Sequence, residues 1–375
     1  MSQPTTEHFS SVLAPAAAEI LLRCTRMIHD ADNEARLRAL VDRDIDWEHL
    51  RRNALKHGII PLVYQRLWES CRDLVPAIVL ARLRADHREN TIRSLGVTAE
   101  LLRLLDLLEQ HGVPAIPYKG PALAAHVYGN LSIRQFGDLD ILVHMEDASN
   151  AMRILCQHGY TTDGWPEPPD EAAFLKRAHV HSFHSPDHAV HLELHWDFTP
   201  RELAFPLDLD ALWRRLQRRP LGSAEVLSLP PEDLLLILCV HGAKHCWSRL
   251  KSVRDVGEVV DAHSDMDWDR VLVDSRSLGA HRMLSLGIFL ASELLGAAVP
   301  LEVRRHIDED LMVPHLAGDV RARLFRDDVR HSVSADAQLF YMKMRERVRE
   351  RLPQAVRFVR RYAHERLYGP ATGAA

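Results

Sequence analysis

Two aspartates one residue apart, in the run Gly137-Asp138-Leu139-Asp140-Ile141-Leu142-Val143, are the sharpest chemical feature of this sequence. The apolar end of the run predicts a β-strand, and side chains alternate along a strand, so Asp138 and Asp140 share a face. Carboxylates held that close repel unless a cation lies between them. Mg²⁺ is the usual answer, bound through one or two carboxylates together with substrate phosphates. Alone, the pair reads equally well as two solvated aspartates at a strand end, and its neighbours give it weight. Ahead of it, Lys119-Gly120 sits in a strand–turn–helix stretch, where a glycine lets the backbone approach a phosphate and a helix start points amide donors at it. Behind it, His191-Leu192-Glu193-Leu194-His195 alternates as a strand does, and Glu193 would add a third carboxylate. Three carboxylates on adjacent strands facing a phosphate cradle suit two-metal phosphoryl transfer.

Further residues widen the candidate site. Arg134, four residues before Asp138, would grip a phosphate through paired guanidinium donors or else sit on the surface. His241 and Lys244 are three apart on a predicted helix and share a face, with Lys244 either a phosphate or base contact or a solvated lysine. Trp247 and Arg249 either frame a nucleobase or pack between helices, and packing is favoured for Trp247. His241 and His245 have a zinc-ligand spacing, but the run between them lacks the glutamate of a metalloprotease motif. His191, Glu193 and His195 share a strand face and offer a His/Glu metal site as an alternative. In the favoured reading His195 orients the carboxylates by hydrogen bonding.

These residues need a small sheet to hold them. Residues 113–117 predict a short strand, 119–128 a turn and a helix ended by Gly129-Asn130, and 138–143 a second strand. Residues 146–158 predict a helix closed by Gly159, 163–170 a proline-rich loop, and 188–196 a third strand. This α/β core, residues 112–200, lies between a helical region at 1–111 and another at 201–375. In the first, residues 1–10 are polar and loose. Helices are expected over 16–30, from an Asp46 cap to Gly58, from Pro61 to about Glu69, and from Pro76 to His111. In the second, helices are expected from Pro230 to His245, from about Trp268, and from about His281 to Leu295. A basic tail over 337–367 reads as one or two helices broken near Pro353, with Arg345, Arg347, Arg349, Arg357, Arg360 and Arg361 on a solvated face. The expected fold class is α+β, predominantly helical, with a small mixed sheet.

Composition narrows the classes. With 46% apolar and 26% charged residues the chain is globular, and a net charge of −5 leaves no overall basic surface for nucleic acid. Five scattered cysteines without a CxxC suggest neither a disulfide framework nor a cysteine zinc site, so a reducing cytoplasm fits best. The longest apolar run, Leu234–Val240, is far short of a membrane span, and the N-terminus lacks the pattern of a signal peptide. Gly-x-Gly-x-x-Gly, GxSxG and P-loop motifs are absent.

Four blocks in order, KGPALAAHVYGN, IRQFGDLDILV, LELHWDF and HGAKHCWSRLKSVRDVGEVV, resemble the uncharacterised nucleotidyltransferase family of the DNA polymerase β-like superfamily, over roughly residues 45–260. The resemblance implies a nucleotidyltransferase core in which a glycine-led turn holds a nucleoside triphosphate. It also implies that Asp138, Asp140 and Glu193 are metal ligands for two Mg²⁺ ions. Glu193 would also help activate the acceptor, and the helix of His241 and Lys244 would close over the cleft. The chain departs from the superfamily in having Gly120-Pro121 where Gly-Ser or Gly-Gly is usual. Pro121 removes one amide donor, for which the charge of Lys119 would substitute.

The expected function is Mg²⁺-dependent transfer of a nucleoside monophosphate from a triphosphate to an unknown acceptor, with release of pyrophosphate. Lys119, Gly120, Arg134, His241 and Lys244 would bind the nucleotide. A small-molecule acceptor is favoured over a protein, and neither a membrane nor nucleic acid is an expected partner. Two readings of other classes stay open: a catalytically degenerate nucleotide-binding or scaffold protein, and a His/Glu-metal hydrolase. Asp138→Asn or Asp140→Asn is expected to abolish transfer and spare the fold, as at strand ends.

Overall fold

A computed structural model of the chain describes residues 13–28, 30–164, 171–199, 205–326 and 335–346. It opens with five helices: α1 (Pro15–Thr25), α2 (Ala31–Val41), α3 (Trp47–His57), α4 (Ile60–Cys71) and the 34-residue α5 (Ala77–Gln110). Asp46 caps α3 through the amide of His49, and Gly58 ends it at φ +68° in the left-handed region. The single helix expected over 16–30 is shorter and is followed by α2, which the sequence reading did not find. The Asp30 carboxylate accepts from the Asn33 amide and starts α2 afresh. Only Leu37, Leu40 and Val41 of its apolar residues are deeply buried, too few to stand out as a pattern. Ile20, Leu21, Leu50, Ile59 and Leu67 form this block's core, joined by Leu250 from far along the chain.

A four-stranded mixed sheet follows. Its strands are β1 (Ala115–Pro117), β2 (Asp138–Val143), β3 (Val180–His184) and β4 (His191–His195), in spatial order β1-β2-β4-β3. β1 runs antiparallel to β2, β2 parallel to β4, and β3 antiparallel to β4. Helix α6 (Gly120–His126) links β1 toward β2, and α7 (Ala148–Gln157) and α8 (Glu171–Arg177) lie between β2 and β3. β3 was not foreseen: it reads Val-His-Ser-Phe-His, and Phe183 is its one fully buried side chain. Of the proline-rich loop, residues 165–170 lie outside the described residues. Leu139, Ile141, Val143, Leu192 and Leu194 form one face of the sheet and pack with Leu101, Leu104 and Leu108 of α5. Alternation then puts Asp138, Asp140, His191, Glu193 and His195 on the opposite face.

After residue 205 come α9 (Leu209–Arg214), a hairpin of β5 (Gln217–Leu221) and β6 (Ala224–Ser228), α10 (Pro231–Lys244), α11 (Leu250–Ala262), α12 (Trp268–Ser277) and α13 (His281–Leu290). α13 continues as one π-turn over Ala291–Leu295, ended by Gly296 at φ +77°. α14 (Leu301–Asp308), α15 (Met312–Leu324) and α16 (Ala335–Met344) complete the described chain. The region is therefore not purely helical as read. The hairpin's exposed Gln-Arg-Arg-Pro strand carries little apolar alternation, although Gly222-Ser223 between Leu221 and Ala224 is a two-residue turn signal. The apolar face of α10 predicted its burial: Leu235, Cys239 and Val240 sit in a large core with Leu142 of β2. Arg345 is 2% exposed and is not on a solvated face. Arg347, Arg349, Arg357, Arg360, Arg361, the break near Pro353 and residues 1–10 lie outside the described residues. The architecture is α+β and predominantly helical, and among the described residues no helix is long and apolar enough to cross a membrane.

Candidate active site

The parallel pairing of β2 with β4 sets Asp140 directly opposite Glu193 and Asp138 opposite His191. Asp140, Glu193 and His195 each offer a ligand atom, and these atoms lie within 4.8 Å of one another. The His195 Nε2 is 3.3 Å from Asp140 Oδ1 and 3.3 Å from Glu193 Oε2, so one imidazole spans both carboxylates. Lys119 Nζ donates to Asp140 Oδ1 at 2.9 Å, and the Tyr118 hydroxyl donates to the same oxygen at 3.4 Å. Both partners of the lysine pair are buried. Asp138 lines the same cavity from the edge of β2 but stands outside the tight group of three.

The charge state follows from these contacts. Burial works to raise the Asp140 carboxyl, but Lys119 and His195 outweigh it and hold the group well below the usual carboxylate range. The His195 ring 3.3 Å away lowers Glu193 as well, against burial and the Asp140 charge. Both are therefore anionic at neutral pH and suited to a hard cation.

Gly120 is needed where it stands. Its φ is +53°, and a Cβ there would come within 3.3 Å of the Asp138 carbonyl oxygen, so the turn packs tightly on the start of β2. Pro121 falls in the first turn of α6, where the helix itself needs no N–H.

A cavity of about 470 Å³ opens over the carboxylates. His241 of α10, His245 just past its end, and Arg249, Lys251 and Asp255 at α11 face it, and Lys56 of α3 reaches it from the N-terminal block. Burial, Lys119 and His245 push the His241 imidazole well below its ordinary range. Burial, Lys244 and Lys119 bring His245 to about 4. Both rings are neutral at pH 7. Arg134 lines the cavity, but its Nε and Nη2 donate to the two Asp255 oxygens at 2.8 and 2.9 Å, and the Tyr128 hydroxyl donates to Asp255 at 2.7 Å. Lys244 lies 3.3 Å from His179 Nε2 and is not among the cavity's lining residues. His191 is near His184, with ring centroids 5.1 Å apart, and does not join the three-residue cluster.

Trp247 is fully buried, as packing required: a Cβ on Gly242 would meet its ring at 2.5 Å, and one on Gly287 would meet it at 2.7 Å. Cys246 and Trp247 both have left-handed backbones, at φ 51° and 53°. Such non-glycine residues cost about 1–3 kcal/mol each and persist where surrounding packing over-determines them. The tight turn they make carries Ser248 and Arg249 to the cavity rim.

The sequence reading missed Ser248, Lys251, Ser252 and Asp255. For three of them the signal was present: Lys251, Ser252 and Asp255 fall at i, i+1 and i+4 on one side of α11, whereas Ser248 lies in the turn before that helix. Lys251 lies with its stem against Gly58, where a Cβ would be 2.7 Å from its Cδ. Burial and Arg134 lower its ammonium to about 8, opposed by the Asp138 charge.

The sequence pattern of the uncharacterised nucleotidyltransferase family matches residues 43–296, which include every residue described in this cavity, and the chain belongs to that family. No curated protein and no solved structure matches the chain.

Proposed function

We propose that the protein is a Mg²⁺-dependent nucleotidyltransferase that moves a nucleoside monophosphate from a nucleoside triphosphate to an acceptor hydroxyl or phosphate. The observation that carries this reading is the anionic Asp140–Glu193 pair, side by side on paired strands at the foot of a cation-rimmed cavity. Asp138, Asp140 and Glu193 supply hard oxygen donors fit for the ions, and two Mg²⁺ held there would neutralise charge on the phosphates during transfer. His195 lies between Asp140 and Glu193, 3.3 Å from each. Lys119, Gly120, Arg249 and Lys251 take the triphosphate. Arg134 acts through Asp255, and neutral His241 offers a hydrogen bond. In the step itself the acceptor oxygen bonds to the α-phosphorus, the bond from that phosphorus to the bridging oxygen breaks, and pyrophosphate leaves. The acceptor proton passes to the Glu193 carboxylate, which is ionised and so able to receive it.

The acceptor is a small molecule in this reading, held by the helical blocks. The five free cysteines, four of them buried, fit a cytoplasmic setting. The test supplies triphosphates labelled at the α- or the γ-phosphate, Mg²⁺ and a cell extract. Label from the α position alone should enter a product. Label from the γ position in that product would show a kinase instead, and no labelled product would count against transfer. One observation favours a second reading: Pro121 withdraws an amide from the phosphate turn. Calorimetric triphosphate binding with no product on any acceptor would decide for a nucleotide-binding protein without turnover.

A further inference from the structure

His195 is 3% exposed, and neither of its ring nitrogens has a hydrogen-bond partner among the described residues. Its Nε2 nevertheless faces two anions. It lies 3.3 Å from Asp140 Oδ1 and 3.3 Å from Glu193 Oε2, without the alignment that a hydrogen bond needs. A buried polar atom left in that state is costly. The ring is also fixed in place. β4 is paired on both sides, with His195 opposite Leu142 of β2 and Val180 of β3. The Tyr118 ring meets the imidazole in a T-shaped contact, with centroids 5.5 Å apart.

Both carboxylates keep an oxygen for an ion. Lys119 and Tyr118 donate to Asp140 Oδ1, and Asp140 Oδ2 accepts no hydrogen bond among the described residues. Glu193 is paired with no lysine or arginine among those residues. One ligand atom from each of Asp140, Glu193 and His195 falls within 4.8 Å of the other two, close enough to share one ion. The donor set then decides which ion. Mg²⁺ takes oxygen ligands and keeps several waters, whereas an imidazole nitrogen draws the transition ions from Mn²⁺ to Zn²⁺.

We propose that His195 Nε2 ligates a divalent ion jointly with Asp140 and Glu193, and that this one of the two ion positions selects a first-row transition ion over Mg²⁺. The presence of a divalent ion rests on the proposed transfer reaction; the nitrogen ligand and the selectivity go beyond it.

Mn²⁺ alone, added to the full chain without nucleotide, tests this by electron paramagnetic resonance. Titration of the free-ion signal gives the affinity, and spin-echo modulation reports whether a nitrogen is bound to the ion. The expected result is bound Mn²⁺ with imidazole-nitrogen modulation, held at least ~10-fold more tightly than competing Mg²⁺. His195→Gln should lose the modulation and lower the preference for Mn²⁺ several-fold, and His241→Gln should keep the modulation. Where His195→Gln does not match the wild-type circular dichroism, His195→Glu carries the comparison, because it keeps a ligand but no nitrogen. Three results would each overturn the proposal and leave the carboxylate site standing: Mn²⁺ bound without nitrogen modulation, modulation that persists in the His195 variants, or an unchanged preference over Mg²⁺ in them. No bound Mn²⁺ at all would overturn the ion site itself and this proposal with it.

Discussion

Asp140 does two things that pull against each other. It belongs to the anionic cluster, and it is the buried partner of the Lys119 ammonium. The sequence places it at a strand end, which suggests that removing its charge would spare the fold. Its 6% exposure says otherwise. Asp140→Asn should lower transfer by at least ~10²-fold and also destabilise the protein by up to about 3–5 kcal/mol, because it strands a buried lysine charge. Asp138→Asn, at a more exposed position, should lose activity with little change in Tm. Comparing the two melting curves checks this.

Lys251 makes the complementary case. In the free protein its ammonium titrates near 8, below the ordinary lysine value of 10.5. Between those values the unfolded chain binds the proton and the folded chain does not, so this group's contribution to stability rises with pH from about 8 to 10.5. At pH 7 the buried charge is a liability. Lys251→Met should therefore raise Tm while weakening triphosphate binding, and wild-type binding should weaken above about pH 8, as calorimetry at pH 7 and pH 9.5 would show. The gathering of Asp138, Asp140, Glu193 and Lys119-Gly120 around one cavity was legible because strand alternation and turn chemistry are local rules. The Arg134–Asp255 pair was not, because it joins residues 121 positions apart.

At the scale of elements, two junctions aim the site. One is the parallel β2–β4 pairing, which a one-residue slip would undo by facing Glu193 into the α5 core. The other is the left-handed Cys246-Trp247 turn between α10 and α11. Gly242→Ala would drive a methyl into the Trp247 ring, 2.5 Å away. It should cost about 1–3 kcal/mol and weaken triphosphate binding by displacing Arg249. A variant that melts normally and binds normally would show that the turn positions nothing. Alternation made β2 and β4 readable, and turn residues made α3 readable. Polar or proline-bearing elements such as α2, β3 and β5 depend on neighbours for their burial, so their own residues announced them weakly.

For the whole molecule, the cavity is a joint product of three parts. The sheet supplies the carboxylates, α10 and α11 supply the opposite wall, and α3 supplies Lys56. The parts interlock further: the Leu250 amide approaches His57 Nδ1 at 3.3 Å, and Leu250 itself is packed among the N-terminal helices. The sheet's core face needs α5, and Ile116, Tyr118 and Leu142 are covered by the α10 core. Residues 112–200 expressed alone should therefore fail to fold, giving an NMR spectrum with little dispersion. A well-dispersed spectrum would show a self-sufficient core. The most direct test of the central claim is the rate of α-label transfer by Glu193→Gln at saturating Mg²⁺, with circular dichroism matched to wild type. The predicted result is a fall of at least ~10²-fold, because the group opposite Asp140 can no longer hold a cation or accept the proton; transfer at the wild-type rate would contradict it.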